Sequence, residues 1–163
     1  MTRTFRIAFL SLLIAQSLAL FLLEGFIPLP FLAPGAKLGL ANIVTVFALY
    51  TLPSTRDVFL LLAIRTFLAS LFGGGPTVFL YSIAGGFTSL VAMCFLKRSG
   101  RFSVFGVSAA GGFFHNVGQL AVAAWVMQTQ SIWLYLPILG VCGVLTGCII
   151  GAIGGLLLKR WAR

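Results

Sequence analysis

The sequence predicts an all-α integral membrane protein, a bundle of six transmembrane helices with both termini in the cytoplasm. Three observations predict it. The chain has 163 residues, is 60% hydrophobic and only 8% charged, and its mean hydropathy is +1.12. A soluble domain of this size cannot hide that much apolar surface, so its solvent is largely lipid. Six apolar stretches are long enough, or nearly so, to cross a bilayer. Nine of the eleven Lys and Arg residues fall on one side of those crossings. Arg3 and Arg6 precede the first stretch, and Arg56 lies between the second and third. Lys97, Arg98 and Arg101 separate the fourth from the fifth, and Lys159, Arg160 and Arg163 follow the sixth. Lys37 alone is basic in the loops on the other side. This alternation is the positive-inside pattern. The length allows one compact transmembrane domain over 1–163 and no separate soluble domain.

The first helix spans 4–23 and runs outward. Arg3 and Arg6, the apolar run 7–23 and the small triplet Ser17-Leu18-Ala19 imitate a signal peptide. The run exceeds a normal signal core, so it reads as a retained helix. Pro28, Pro30 and Pro34 then interrupt an apolar segment. Proline removes a backbone donor and blocks helix continuation, which makes this segment an outer loop folding over the bundle. The second helix, 38–52, is short and ends at the inner turn that begins with Pro53. The third covers 57–72, with Asp57 near its N-terminus, where an acid suits the helix dipole. Residues 73–76, Gly-Gly-Gly-Pro, turn on the outside. The fourth helix covers 77–96, the fifth 102–127 and the sixth 132–158. No tandem repeat or low-complexity tract appears.

Several function classes drop out on composition. Glu24 and Asp57 are the only acids, which excludes paired-carboxylate chemistry and Asp-bound magnesium diphosphate. Cys94, Cys142 and Cys148 lie in apolar stretches without CxxC spacing and read as packing residues, with no metal site or disulfide framework. The net charge of +9 sits at helix ends rather than along one face. It marks topology and contact with anionic lipid, not nucleic-acid binding. No GxSxG, HExxH, P-loop or Asp-rich motif is present, so the chain is expected not to be an enzyme and to bind no ATP. Active transport would then draw on an ion gradient or on a partner. Six short helices are also few for an independent alternating-access carrier.

Two sets of residues stand out. Small residues recur every fourth position, at Ser11, Ala15 and Ala19 in the first helix and at Gly143, Gly147, Gly151 and Gly155 in the sixth. Such stripes let helix backbones approach closely in lipid. The sixth-helix stripe reads as internal packing. The first-helix stripe fits packing or docking of another membrane subunit. The second set is polar and lies in the middle and outer half: Glu24, Lys37, Asn42, Arg65, Tyr81, His115, Asn116 and Gln119. Arg65 is near mid-membrane, where a charge is costly and must face the interior with a partner or an anionic ligand. A salt bridge of Arg65 or Lys37 with Glu24 is the structural alternative. His115 alone does not make a metal site. Asn116 and Gln119, three apart, share a helix face near Gly112. Gly111 and Gly112 leave room for a ligand or a crossing helix.

The run Pro34-Gly-Ala-Lys-Leu-Gly-Leu-Ala-Asn-Ile43 resembles the signature region of the Gx transporter family, also labelled heptaprenyl diphosphate synthase component I. The Phe72-Gly-Gly-Gly-Pro76 turn, the segment from Tyr81 to Phe87 and the segment from Phe114 to Gln119 resemble it too. That family is similar to the S components of energy-coupling factor (ECF) importers. The resemblance implies a six-helix, S-component-like fold that captures a vitamin-like molecule from outside. It also implies partners: a transmembrane coupling subunit, and two ATPases that bind the ATP. Ser11, Ala15 and Ala19 would match the alanine-rich face such proteins offer the coupling subunit.

The leading expectation is a substrate-binding subunit in a prokaryotic plasma membrane. Lys37 and Arg65 neutralise an anionic group, Asn42, His115, Asn116 and Gln119 surround the ligand, and Tyr81 or Phe114 stacks on a planar ring. A flavin, a thiamine-like precursor and an isoprenoid-related anion all suit this set. A non-catalytic membrane subunit anchoring a prenyl diphosphate synthase is the alternative. An oligomeric channel with Arg65 lining an anion path is the third.

Overall fold

The computed structural model of the chain describes residues 2–26, 39–73 and 75–162. Lys37 and the prolines at 28, 30 and 34 lie outside them. The described residues form six α-helices and contain no strand: α1 (Arg3–Glu24), α2 (Leu40–Thr51), α3 (Thr55–Gly73), α4 (Gly75–Ser99), α5 (Val104–Met127) and α6 (Leu136–Trp161). A short 3-10 helix, Gln130–Tyr135, precedes α6. The stretch expected to open the sixth helix at Ile132 is therefore this tighter turn. Pro137 sits in the first turn of α6, where its missing N–H has no intrahelical role.

Local chemistry sets the other ends. The Thr2 hydroxyl accepts from the Phe5 amide at 3.4 Å, and Ser103 Oγ accepts from the Gly106 amide at 3.3 Å. Each satisfies a donor that the first helical turn leaves open. Leu52 adopts the extended backbone expected before Pro53, which stops α2 at Thr51. Gly39, before α2, has φ +77°, a conformation that favours glycine.

Three helices are long and apolar enough to cross a membrane: α1, α4, and the 32-residue stretch Gln130–Trp161 that contains α6. The 24 residues of α5 are also long, but His115, Asn116 and Gln119 dilute their hydropathy. The 12 residues of α2 fall short of the ~20 that a full span needs. Large apolar side chains cover the outside, among them Phe95, Trp125 and Leu134, each more than two-thirds exposed. The chain is a membrane protein whose surface is built for lipid.

The helices pack around a ring in the order α1, α3, α4, α5, α6, α2, and α2 closes against α1. The starts of α1, α3 and α5 and the ends of α2, α4 and α6 share one end of the bundle. Arg3, Arg6, Arg56, Lys97, Arg98, Arg101, Lys159 and Arg160 gather at this basic end. There Arg6 and Asp57 form a two-pronged ion pair, with both N–O distances 2.6 Å, joining α1 to α3. Lys97 Nζ donates to Leu49 O at 2.6 Å and lies over the Tyr50 ring, which closes the C-terminal end of α2.

Glycines decide the α5–α6 contact. A Cβ on Gly112 would meet the Gly143 and Gly147 backbone, and one on Gly147 would meet Ser108 and Ala109. Gly111 receives Met93 and Ser89 of α4. The Gly111-Gly112 pair thus admits two crossing helices. The stripe on α6 is internal through Gly143, Gly147 and Gly151, but Gly155 faces nothing within 4 Å, and Gly154 meets Val46 of α2 instead. A repeat of four drifts around a helix of 3.6 residues per turn, so the inward face moves by one position. By contrast, Ser11, Ala15 and Ala19 are all exposed on α1.

The apolar core fills the basic half of the ring. Val46 and Leu49 of α2, Val58, Leu61 and Leu62 of α3, Leu90 and Met93 of α4, and Val107 of α5 are almost fully buried there. Above this plug the polar residues begin.

Candidate functional site

The half of the bundle opposite the basic end holds a cavity of about 350 Å³, and all six helices line it. Phe21 and Glu24 come from α1, Ala41 and Asn42 from α2, and Arg65, Thr66 and Ala69 from α3. Thr77, Val78, Tyr81 and Ser82 come from α4, while His115, Asn116, Gln119, Leu120 and Ala123 come from α5, and Leu139 from α6. The structure thereby brings together six of the seven expected ligand residues: Asn42, Arg65, Tyr81, His115, Asn116 and Gln119. The seventh, Lys37, is outside the described residues. Phe114, the other candidate for stacking, is 41% exposed and does not line the cavity, so Tyr81 is the ring available there.

Arg65 is 95% buried, so the cost of its charge must be met locally. Its Nη1 donates to Ser17 Oγ at 3.4 Å and to Asn42 Oδ1 at 3.5 Å. Both contacts are long for hydrogen bonds to a charged donor, and both acceptors are neutral. Beside it the Thr66 hydroxyl is buried with no hydrogen-bond partner among the described residues. Arg65 and Thr66 both line the cavity, and the guanidinium has N–H groups beyond the one that makes these two contacts.

The salt bridge of Arg65 with Glu24 does not form; among the described residues the ion pair is Arg6–Asp57. Glu24 is used elsewhere. Its Oε1 accepts from the Gly39 amide at 2.6 Å and its Oε2 from the Leu40 amide at 3.1 Å. The carboxylate thus caps α2, satisfying open donors and complementing the positive end of the helix dipole. Asn116 is also engaged. Its Nδ2 donates to Leu139 O at 2.6 Å, tying α5 to α6 at the cavity wall.

His115 and Gln119 are one turn apart and both reach the cavity. Gly85 lets α4 lie against them: a Cβ there would meet the His115 ring and backbone and the Gln119 side chain. Thr88 reinforces the seam, 2.9 Å from Phe114 O. Tyr81 and Ser82 follow one turn nearer the open end of α4.

Sequence reasoning missed Ser17, Thr66, Thr77 and Ser82. Spacing offers a signal for Ser17, which lies four residues after buried Leu13 and seven before buried Glu24, so the three mark one face of α1. Thr66 is an immediate neighbour of Arg65 and had no periodic signal of its own.

Fold and site together define a polytopic helical membrane protein that is plugged at its basic half and hollow in the other. The chain belongs to the family described as heptaprenyl diphosphate synthase component I, which matches residues 13–157. That range contains every cavity residue named above. No significant match to a curated protein or to a solved structure was found.

Proposed function

We propose that this chain is the substrate-capturing membrane subunit of an energy-coupling factor type importer. Its single strongest support is Arg65, buried beside a cavity, whose hydrogen bonds among the described residues are two long contacts to neutral oxygens, with no direct ion pair. A purely structural arginine is normally fully paired. Six helices would span the bilayer, with the basic end and both termini in the cytoplasm by the positive-inside rule. The cavity then opens outward, and the plug of Leu61, Leu62, Leu90 and Met93 closes it toward the cytoplasm. Arg65, Thr66, Asn42, Tyr81, His115 and Gln119 bind the solute, and Asn116 shapes the wall. This arrangement disfavours the channel reading, because Arg65 faces a plugged interior rather than an oligomer axis.

Work would come from partners. The chain offers no nucleotide motif, so ATP belongs to two ATPase subunits acting through a transmembrane coupling subunit. The exposed Ser11, Ala15 and Ala19 face would receive that subunit, since small side chains permit close helix contact in lipid.

The family's description favours a second reading, a non-catalytic membrane subunit associated with prenyl diphosphate synthesis. Purification of the tagged chain from its native membranes in mild detergent separates the two. Stoichiometric recovery of a coupling subunit and two ATPases is the expected result. Recovery of a prenyl diphosphate synthase without them would replace the importer reading with the second one.

A further inference from the structure

We infer that the groove between α1, α2 and α6 binds one anionic phospholipid, with its phosphate on Arg160 and an acyl chain along α1. The site is separate from the polar cavity and does not depend on what that cavity holds.

The groove follows from how the three helices meet. α1 and α6 each pack on α2 more than on each other. Seven of the 12 residues of α2 are buried, so this short helix forms a floor between two longer walls. Ile43 and Val44 of α2 and Leu13 of α1 are buried at the base. Leu12 of α1 and Leu157 of α6 are exposed at the rim.

Its dimensions select the occupant. From Phe9 to Leu20 the groove follows α1 for about 16 Å at 1.5 Å per residue. Its volume is about 480 Å³. Spread over that length, the section is about 30 Å², far narrower than a helix ~10–12 Å across. A hydrocarbon chain fits such a section, and the volume equals roughly sixteen groups of water size at ~30 Å³ each.

Charge places the headgroup. Arg160 lines the basic end of the groove. It is exposed and makes no hydrogen bond or ion pair among the described residues. The chain has two acids, and both are spent elsewhere: Asp57 on Arg6, and Glu24 on the Gly39 and Leu40 amides. A fixed counter-anion for Arg160 therefore comes from outside the chain. Phosphate suits a guanidinium, whose planar fork pairs with two oxygens at once. By the positive-inside rule this end meets the cytoplasmic leaflet, where anionic lipids concentrate. Trp161 marks the same depth, because tryptophan favours the headgroup level. Its ring stacks on Phe9 at 5.3 Å and meets Phe47 edge-on at 5.7 Å, closing the groove there.

This face is not the small-residue stripe. At 3.6 residues per turn, Leu12, Gln16 and Leu20 lie roughly a third of a turn from Ser11, Ala15 and Ala19. A lipid in the groove leaves that stripe clear.

The test uses phospholipids with brominated acyl chains, which quench a tryptophan that they touch. Trp125→Phe and Trp133→Phe leave Trp161 as the sole reporter in the full-length protein. The protein is reconstituted in phosphatidylcholine bilayers, with a fixed fraction replaced by brominated phosphatidylglycerol or brominated phosphatidylcholine. A second protein, with Trp133→Phe and Trp161→Phe, keeps Trp125, exposed near the opposite end of α5. The expected result is a preference of about fivefold for the anionic lipid at Trp161, the worth of one basic side chain at such a surface. Trp125 should show no preference. Arg160→Gln should abolish the preference at Trp161, and Lys159→Gln should keep it. Equal quenching of Trp161 by both lipids overturns the proposal and returns the groove to ordinary solvating lipid or to a partner's helix. A preference lost as fully in Lys159→Gln as in Arg160→Gln also overturns it, because the basic end as a whole would then be the cause.

Discussion

At Glu24 a single carboxylate does the work that the sequence suggested for a salt bridge. It accepts from two amides at the start of α2 rather than from Arg65. The consequence is a division of hydrogen bonds: the acid spends both oxygens on a helix terminus, and the arginine guanidinium makes no direct ion pair with it. Removing the cap should cost about 1–2 kcal/mol, as for other N-terminal caps. Glu24→Ala is expected to lower the thermal midpoint by that equivalent, and Glu24→Gln by less, because the amide oxygen still accepts one of the two bonds. Unfolding followed in detergent, with both variants at equal concentration, checks the order. An unchanged midpoint in Glu24→Ala would mean that the cap carries no stability. Residue identity was legible in the sequence here, since every described residue of the expected ligand set reaches the cavity. Pairing was not legible, because Glu24 and Gly39 lie fifteen positions apart and their contact depends on how the chain returns to α2.

The α5–α6 seam shows how small residues set helix spacing. Gly143 lies against Asn116 and the Gly112 backbone, where an added methyl has nowhere to go. Overpacking of this kind typically costs about 1–3 kcal/mol, and backbone neighbours yield less than side chains do. Gly143→Ala should therefore destabilise the bundle and also disturb the Asn116–Leu139 link that forms the cavity wall. Gly155→Ala meets open space and should stabilise α6 by ~0.5–1 kcal/mol through helix propensity alone. Thermal stability of the two variants measured side by side decides between a steric and a compositional role for the stripe; equal effects would contradict the packing described. All six helices could be read from hydropathy and charge, with ends displaced by a few residues. The 3-10 turn at Gln130–Tyr135 could not, because its apolar residues continue the pattern of α6 and only hydrogen bonding separates them. The inward drift from Gly151 to Gly154 was equally hidden, since a strict repeat of four predicts Gly155.

For the molecule as a whole, the division into a plugged basic half and a hollow polar half suits a binding protein better than a through-pore. The same division was partly written in the sequence: charges cluster at one set of helix ends, and polar uncharged residues cluster toward the other. What the sequence lacked was the ring order, which places α3 between α1 and α4 and so turns Arg65 toward Asn42 and Ser17. Sidedness of the cavity is the central claim, because capture from outside requires it. Thr77 is exposed at the cavity rim and offers a direct probe. With Cys94, Cys142 and Cys148 replaced by alanine, a Thr77→Cys variant is treated with a membrane-impermeant maleimide in intact cells and in inside-out vesicles. Labelling in intact cells and protection in the vesicles is the outcome predicted here; labelling confined to the inside-out vesicles would contradict it.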